Sequence, residues 1–265
     1  MPAIQGLKSP IGAWATPVFD IYSLFVRNII SSVRMGRLRE IIRRIPRYGW
    51  IAAPAIFFFN YALYVAGPLL ARLLGTESWA FAPKIPFIDD KFQLIPAFVI
   101  IYVVSYAVWV FGILAVSLTD RRNFINYVIG LETSVLIGFM LFILMPTIMD
   151  RVSEGVLQKV QEPGVLNWMM KFIYAADGWE KGRALFPSFH CLMSIYCYLG
   201  IRKQNEISRG FKVYTVVMTI LICLSTLYTK QHYIVDVIGG LGIPVICYAI
   251  VRKLDPAGSI MKEKL

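Results

Sequence analysis

Six long apolar runs, at residues 50–74, 94–118, 125–146, 186–201, 211–229 and 232–251, constrain this chain more than any other feature. A bilayer core takes about 20 apolar residues per helix, because a backbone without water around it must satisfy its own hydrogen bonds. The chain is 57% hydrophobic and only 16% charged, with a mean hydropathy of +0.62, too apolar for a soluble domain of 265 residues. The fourth run is short and opens on polar residues. The expectation is an all-α fold: one membrane bundle of about six transmembrane helices over residues 50–265, preceded by a basic segment, 1–49.

The net charge of +11 raises the question of nucleic acid. Its basic residues are spread along a membrane chain, so topology explains them better and no nucleic-acid partner is expected. Most of the 27 Lys and Arg fall in segments 1–49, 119–124, 202–210 and 252–265. The positive-inside rule then puts both termini in the cytoplasm, and an even number of spans agrees.

In the N-terminal segment Arg27, Arg34, Arg37, Arg39, Arg43, Arg44 and Arg47 alternate with Leu24, Phe25, Ile29, Ile30, Val33, Leu38, Ile41, Ile42 and Ile45 at near-helical spacing. This reads as an amphipathic helix on anionic lipid, or as a flexible basic anchor of topology. It does not read as a secretory signal, whose basic residues come before the apolar stretch. Cys191, Cys197, Cys223 and Cys247 all fall within expected spans and read as packing residues, not a disulfide framework.

The two histidines are placed informatively. His190 opens the fourth span on the outer side. The chain then crosses inward, turns through a basic loop and returns, so that His232 opens the sixth span at the same depth. Asp236 follows His232 by four residues, a spacing that puts both on one face if the segment is helical. A carboxylate there can hold an imidazole in one tautomer and raise its basicity. Two interfacial histidines and a stray acid are the alternative, but an acid at the membrane boundary is costly without a partner.

The surroundings suit an anion. Pro187 fits the first turn of a helix whose free N–H groups point outward, and Ser188 adds a hydroxyl. Arg183 and Lys181 lie just upstream, Lys230 precedes His232, and Arg151 follows the third span. Each alone is an ordinary interfacial cation; together they can neutralise a phosphate. Asp89, Asp90 and Glu77 read as part of a structural turn, without metal-ligand spacing. Glu132, inside the third span, either lines the site from below or bonds a neighbouring helix.

Pro187-Ser188-Phe189-His190 resembles the P-S-G-H motif of the type 2 phosphatidic acid phosphatase superfamily. The stretch from Ser225 through His232-Tyr233-Ile234-Val235-Asp236 resembles its S-R-x-x-x-x-x-H-x-x-x-D motif. The resemblance implies His232 as nucleophile, Asp236 as its orienting acid and His190 as proton donor to the leaving group, with no metal or other cofactor. Ser188, Arg183, Lys230 and Arg151 are the phosphate-binding candidates. The chain departs from the pattern at Phe189, where glycine is usual, and at Thr226, where arginine is usual. The upstream K-x-x-x-x-x-x-R-P motif has only Arg151 to match its arginine, with Leu144 and Val152 in the lysine and proline positions. Lys230-Gln231-His232-Tyr233-Ile234-Val235-Asp236 is also similar to the sphingomyelin and inositol phosphorylceramide synthase branch, in which an alcohol accepts the phosphoryl group.

The expected function is therefore a multi-pass lipid phosphate phosphatase with its site on the extracytoplasmic face, acting on a lipid phosphate or phospholipid. A lipid phosphotransferase sharing the first chemical step is the alternative, and a membrane scaffold or transporter without chemistry is the third reading.

Overall fold

A computed structural model describes residues 35–262. Residues 1–34, which hold much of the basic segment, and 263–265 lie outside the described residues. Helix α1 (Met35–Arg44) belongs to a unit separate from the one that begins at Pro46. Its last turn carries Arg43 and Arg44, the favourable sign at a helix C-terminus, and Arg44 pairs with Glu40 one turn back.

The second unit runs α2 (Arg47–Leu73), a one-turn α3 (Pro86–Asp89), α4 (Val99–Ser117), α5 (Arg121–Leu144), β1 (Ile148–Asp150), α6 (Val156–Gln161), α7 (Val165–Asp177), β2 (Lys181–Arg183), α8 (Phe189–Ile201), α9 (Arg209–Tyr228), α10 (Ile234–Leu254) and α11 (Pro256–Lys262). Among the described residues five segments are long and apolar enough to cross a membrane: α2, α4 with its preceding 3-10 turn, α5, α9, and α10 with α11. The chain is a multi-pass membrane protein built as an all-α bundle.

The fourth apolar run behaves differently from the other five. Its helix, α8, starts at Phe189, not at residue 186, because Ser188 is the N-cap and accepts from Cys191 N–H at 3.4 Å. Pro187 therefore stands before the helix and not in its first turn as the sequence reading had it. The 13 residues of α8 span roughly 20 Å, short of a hydrocarbon core of about 30 Å. A short helix suits its position: α8 is buried along nearly its whole length and packs against α4, α5, α9 and α10.

Residues 148–185, which lie between the third and fourth apolar runs, fold into a layer over one end of the bundle. Strands β1 and β2 pair antiparallel, Met149 opposite Gly182. In α7, Met170, Ile173 and Tyr174 recur at helical spacing and bury against Val99 and Tyr102 of α4. Tyr174 also donates to the Thr229 carbonyl at 2.8 Å, tying this layer to the end of α9.

Candidate active site

Helix α9 ends at Tyr228, and the chain makes a tight turn before α10 starts at Ile234. The N–H groups of Gln231 and His232 both donate to the Thr226 carbonyl, at 3.0 and 3.1 Å. Where the family motif has an arginine side chain, this chain uses a buried threonine whose backbone anchors the histidine turn. Lys230 takes a left-handed conformation in that turn, φ 51°, a position that normally favours glycine.

His232 thus lies before α10 rather than in it, and His232 and Asp236 do not share a helix face as their spacing predicts. Asp236 is the third residue of α10 and reaches back to the helix start, where its Oδ2 accepts Tyr233 N–H at 2.8 Å. That capping geometry brings the same oxygen to 3.5 Å from His232 Nδ1, at ion-pair range without a hydrogen bond. Asp236 is fully buried.

His190 arrives from the other side, one residue into α8. Ser188 N–H donates to the Asp236 carbonyl at 3.0 Å, which pins the start of α8 to α10. Gly240, one turn beyond Asp236, permits the approach: a Cβ there would lie 2.5 Å from the Ser188 carbonyl oxygen. The two imidazole ring centres come to 6.5 Å. His190 stacks on Tyr102 at 4.0 Å and meets the edges of Trp109 at 4.9 Å and Tyr106 at 5.5 Å. Trp109 Nε1–H donates to Ser194 Oγ at 3.0 Å, and that hydroxyl donates to the His190 carbonyl at 2.6 Å. The 102/106/109 spacing is one helix face and was legible in the sequence as a stripe of aromatics, but not as the wall behind a histidine.

The expected phosphate ligands are placed unevenly. Arg151 is fully buried and already committed. Its Nη1 donates to the Gly178 carbonyl at 2.7 Å, its Nη2 to Asp177 Oδ2 at 2.7 Å and to Gln231 Oε1 at 3.0 Å, and its guanidinium lies 3.9 Å from the centre of the Tyr174 ring. Gly182 leaves room for it, since a Cβ there would meet Nη2 at 2.7 Å. Lys230 Nζ is 3.3 Å from Glu154 Oε2, and Lys84 takes the other oxygen of Glu154 at 2.8 Å. Burial raises the Glu154 carboxyl, but Lys84 and Lys230 outweigh it and hold the group below the usual carboxylate range. Arg183, half exposed, pairs with Glu77 at 3.0 Å, and Ser188 Oγ serves as the α8 cap. Asp89, expected only to shape a turn, is buried and accepts Ile234 N–H at 2.8 Å, fixing the first turn of α10. Both carboxylate oxygens of Glu132 in α5 are buried without a hydrogen-bond partner among the described residues.

Two groups that the sequence reading passed over adjoin the histidines. Gln231, next to the proposed nucleophile, has its carbonyl oxygen held by Arg151 while its Nε2 has no partner among the described residues. Asp177 keeps Oδ1 unpartnered beside its ion pair. Burial pushes its carboxyl above the usual range, against the pull of Arg151. Asp177 and His190 share the lining of an apolar cavity of about 570 Å³ that runs between α2, α4, α7 and α8 past Tyr64, Tyr106 and Met193. Among the described residues no three His, Cys, Asp or Glu side chains are arranged to hold a metal ion.

A family model described as the PAP2 superfamily matches residues 71–250, which take in both histidines, Asp236 and the helices α4, α5, α8 and α9 around them. The chain belongs to the PAP2 superfamily. No curated protein and no solved structure matches it significantly. Membership carries a phosphatase-type phosphoryl-transfer function, and within the PAP2 fold the departures at Phe189 and Thr226 now have structural counterparts. Phe189 packs against Phe142 at 4.8 Å and Tyr64 at 5.9 Å.

Proposed function

We propose that this PAP2 protein hydrolyses a lipid phosphate through a phosphohistidine on His232. The observation that carries the reading is the His232–Asp236 contact at 3.5 Å facing His190 across 6.5 Å, beside an apolar cavity. With Nδ1 turned toward Asp236, Nε2 is the nitrogen free to attack phosphorus. Its lone pair forms the P–N bond as the P–O bond to the lipid breaks, and the departing oxygen takes a proton from His190. Water then attacks phosphorus, His190 takes its proton, and the P–N electrons return to Nε2. Gln231 Nε2–H, oriented by Arg151, supplies a donor to the phosphoryl oxygens, and Lys230 adds charge once substrate competes with Glu154.

The site lies on the extracytoplasmic face in this reading, with both termini cytoplasmic. Side chains alone carry the chemistry, so the reaction needs no metal.

Headgroup transfer to an alcohol is the second reading, and one observation favours it. Arg151, Lys230 and Arg183 are each paired with a carboxylate, so the site holds few free cations for a phosphomonoester dianion. A monoanionic phosphodiester asks less of such a site.

Trapping with a phosphorus-labelled lipid phosphate, and in parallel with a phosphorus-labelled phosphodiester lipid, tests the common step. Labelled, acid-labile phosphoenzyme is expected in wild type and absent in His232→Ala. Full turnover by His232→Ala refutes both readings, and free phosphate versus a new phospholipid separates them.

A further inference from the structure

The buried carboxylate of Asp177 takes no part in making or breaking bonds in the reaction just described, yet it lines the same cavity as His190. Its side chain is only 8% exposed. Oδ2 holds Arg151, and Oδ1 has no hydrogen-bond partner among the described residues. A bare carboxylate oxygen in such a place costs free energy until a donor reaches it. Arg151 gives its Nη groups to Oδ2, the Gly178 carbonyl and Gln231 and makes no hydrogen bond to Oδ1. The cavity that Asp177 and His190 line together is a side from which a lipid donor can approach.

What enters that cavity follows from the reaction. An in-line attack by His232 expels the lipid on the far side of phosphorus, toward His190, which protonates its oxygen. The lipid moiety therefore sits on the His190 side, with its chains in the apolar cavity and its first few atoms beside Asp177. A fully esterified glycerol offers only acceptors there, and a polyprenyl chain offers nothing polar. A carboxylate facing either is left unsatisfied.

We infer that Asp177 selects lipid phosphates whose backbone carries a hydroxyl or amide N–H within a few bonds of the phosphate. The inference rests on the proposed function, because that reaction is what directs the lipid toward His190. Monoacylglycerol phosphates and ceramide-type phosphates supply such a donor, from a hydroxyl and from an amide with a hydroxyl respectively.

Binding tests this without requiring turnover. His232→Ala protein in detergent is titrated with lipids while the fluorescence of Trp109 and Trp168, both in the cavity wall, is followed. The decisive pair is 1-oleoylglycerol 3-phosphate and its 2-O-methyl ether, which differ only in the donor. Ceramide 1-phosphate, dioleoyl phosphatidate and a polyprenyl phosphate complete the panel, so that the hydroxyl and amide sources are read separately. A charge-assisted hydrogen bond gives the free hydroxyl about a tenfold advantage or more over the ether. Adding Asp177→Asn, or Asp177→Glu, which keeps a charge for Arg151 but moves the oxygen, shrinks the gap to about twofold or less, read as the ratio of the two lipids so that any general loss of phosphate binding through Arg151 cancels. Equal binding of hydroxyl and ether overturns the inference, whether or not either variant folds. So does a gap that survives in a folded Asp177 variant. Phosphoenzyme trapping on otherwise wild-type protein with the same lipids is the separate control. A hydroxyl preference without phosphohistidine refutes the reaction and leaves the recognition standing.

Discussion

Replacing Gly240 by alanine probes the contact that sets the spacing of the two histidines. A Cβ at residue 240 would stand 2.5 Å from the Ser188 carbonyl oxygen and 2.9 Å from Cys191 Cβ. Ordinary contact between such atoms begins near 3.5 Å, so the start of α8 must withdraw by roughly 1 Å. The atom in the way is backbone, so no rotamer change relieves it. Withdrawal stretches the 3.0 Å bond from Ser188 N–H to the Asp236 carbonyl and carries His190 away from His232. Overpacking of this kind costs about 1–3 kcal/mol of stability. A displacement of 1 Å at reacting groups costs about 100-fold in rate, or about 2.7 kcal/mol of transition-state stabilisation. The control is Gly242→Ala in the same helix, where a Cβ meets nothing within 4 Å. That variant gains helix propensity, about 0.5–1 kcal/mol, and keeps its activity. The assay is kcat/KM on a lipid phosphate together with thermal unfolding in one detergent. Full activity in Gly240→Ala, with stability no worse than in Gly242→Ala, refutes the argument that this approach sets the histidine pair.

Removing the donor next to the nucleophile, Gln231→Ala, lowers kcat by about 10-fold to 100-fold in steady-state turnover, while Arg183→Ala, whose partner Glu77 lies at the surface, changes it less than about threefold. Glu154 is held below its ordinary range by Lys84 and Lys230, so its contribution to stability is present above the unfolded-state carboxylate pKa and is lost as pH falls through the lower folded value. Thermal unfolding followed on acidification should show that loss, and Glu154→Gln should be less stable at neutral pH and show a shallower dependence. Single cysteines at residue 153 and residue 205 should label from opposite sides of a sealed membrane, the first from outside; labelling of both from one side contradicts the proposed topology.

Hydropathy is a local and additive property, and a membrane reads it directly. The runs that became α2, α4, α5, α9 and α10 were therefore legible without any tertiary knowledge. The meeting of His190 and His232 was legible for a related reason: α8 and α9 pack side by side and carry the chain away and back, although α8 is too short to cross the core by itself. The family motifs around Ser188 and Asp236 were readable for the same local reason. Pairing between distant charges has no such local signature. Arg151 looked like a phosphate ligand until Asp177 and Gln231 were found around it, and Lys230 looked free until Glu154 approached from another loop. The His232–Asp236 contact was expected from a four-residue helical spacing. It arises instead because the helix starts after His232, leaving an unpaired N–H at Tyr233 for Asp236 to cap. Helix starts depend on which donors are left unsatisfied once loops have packed, and that balance is settled only by the folded chain.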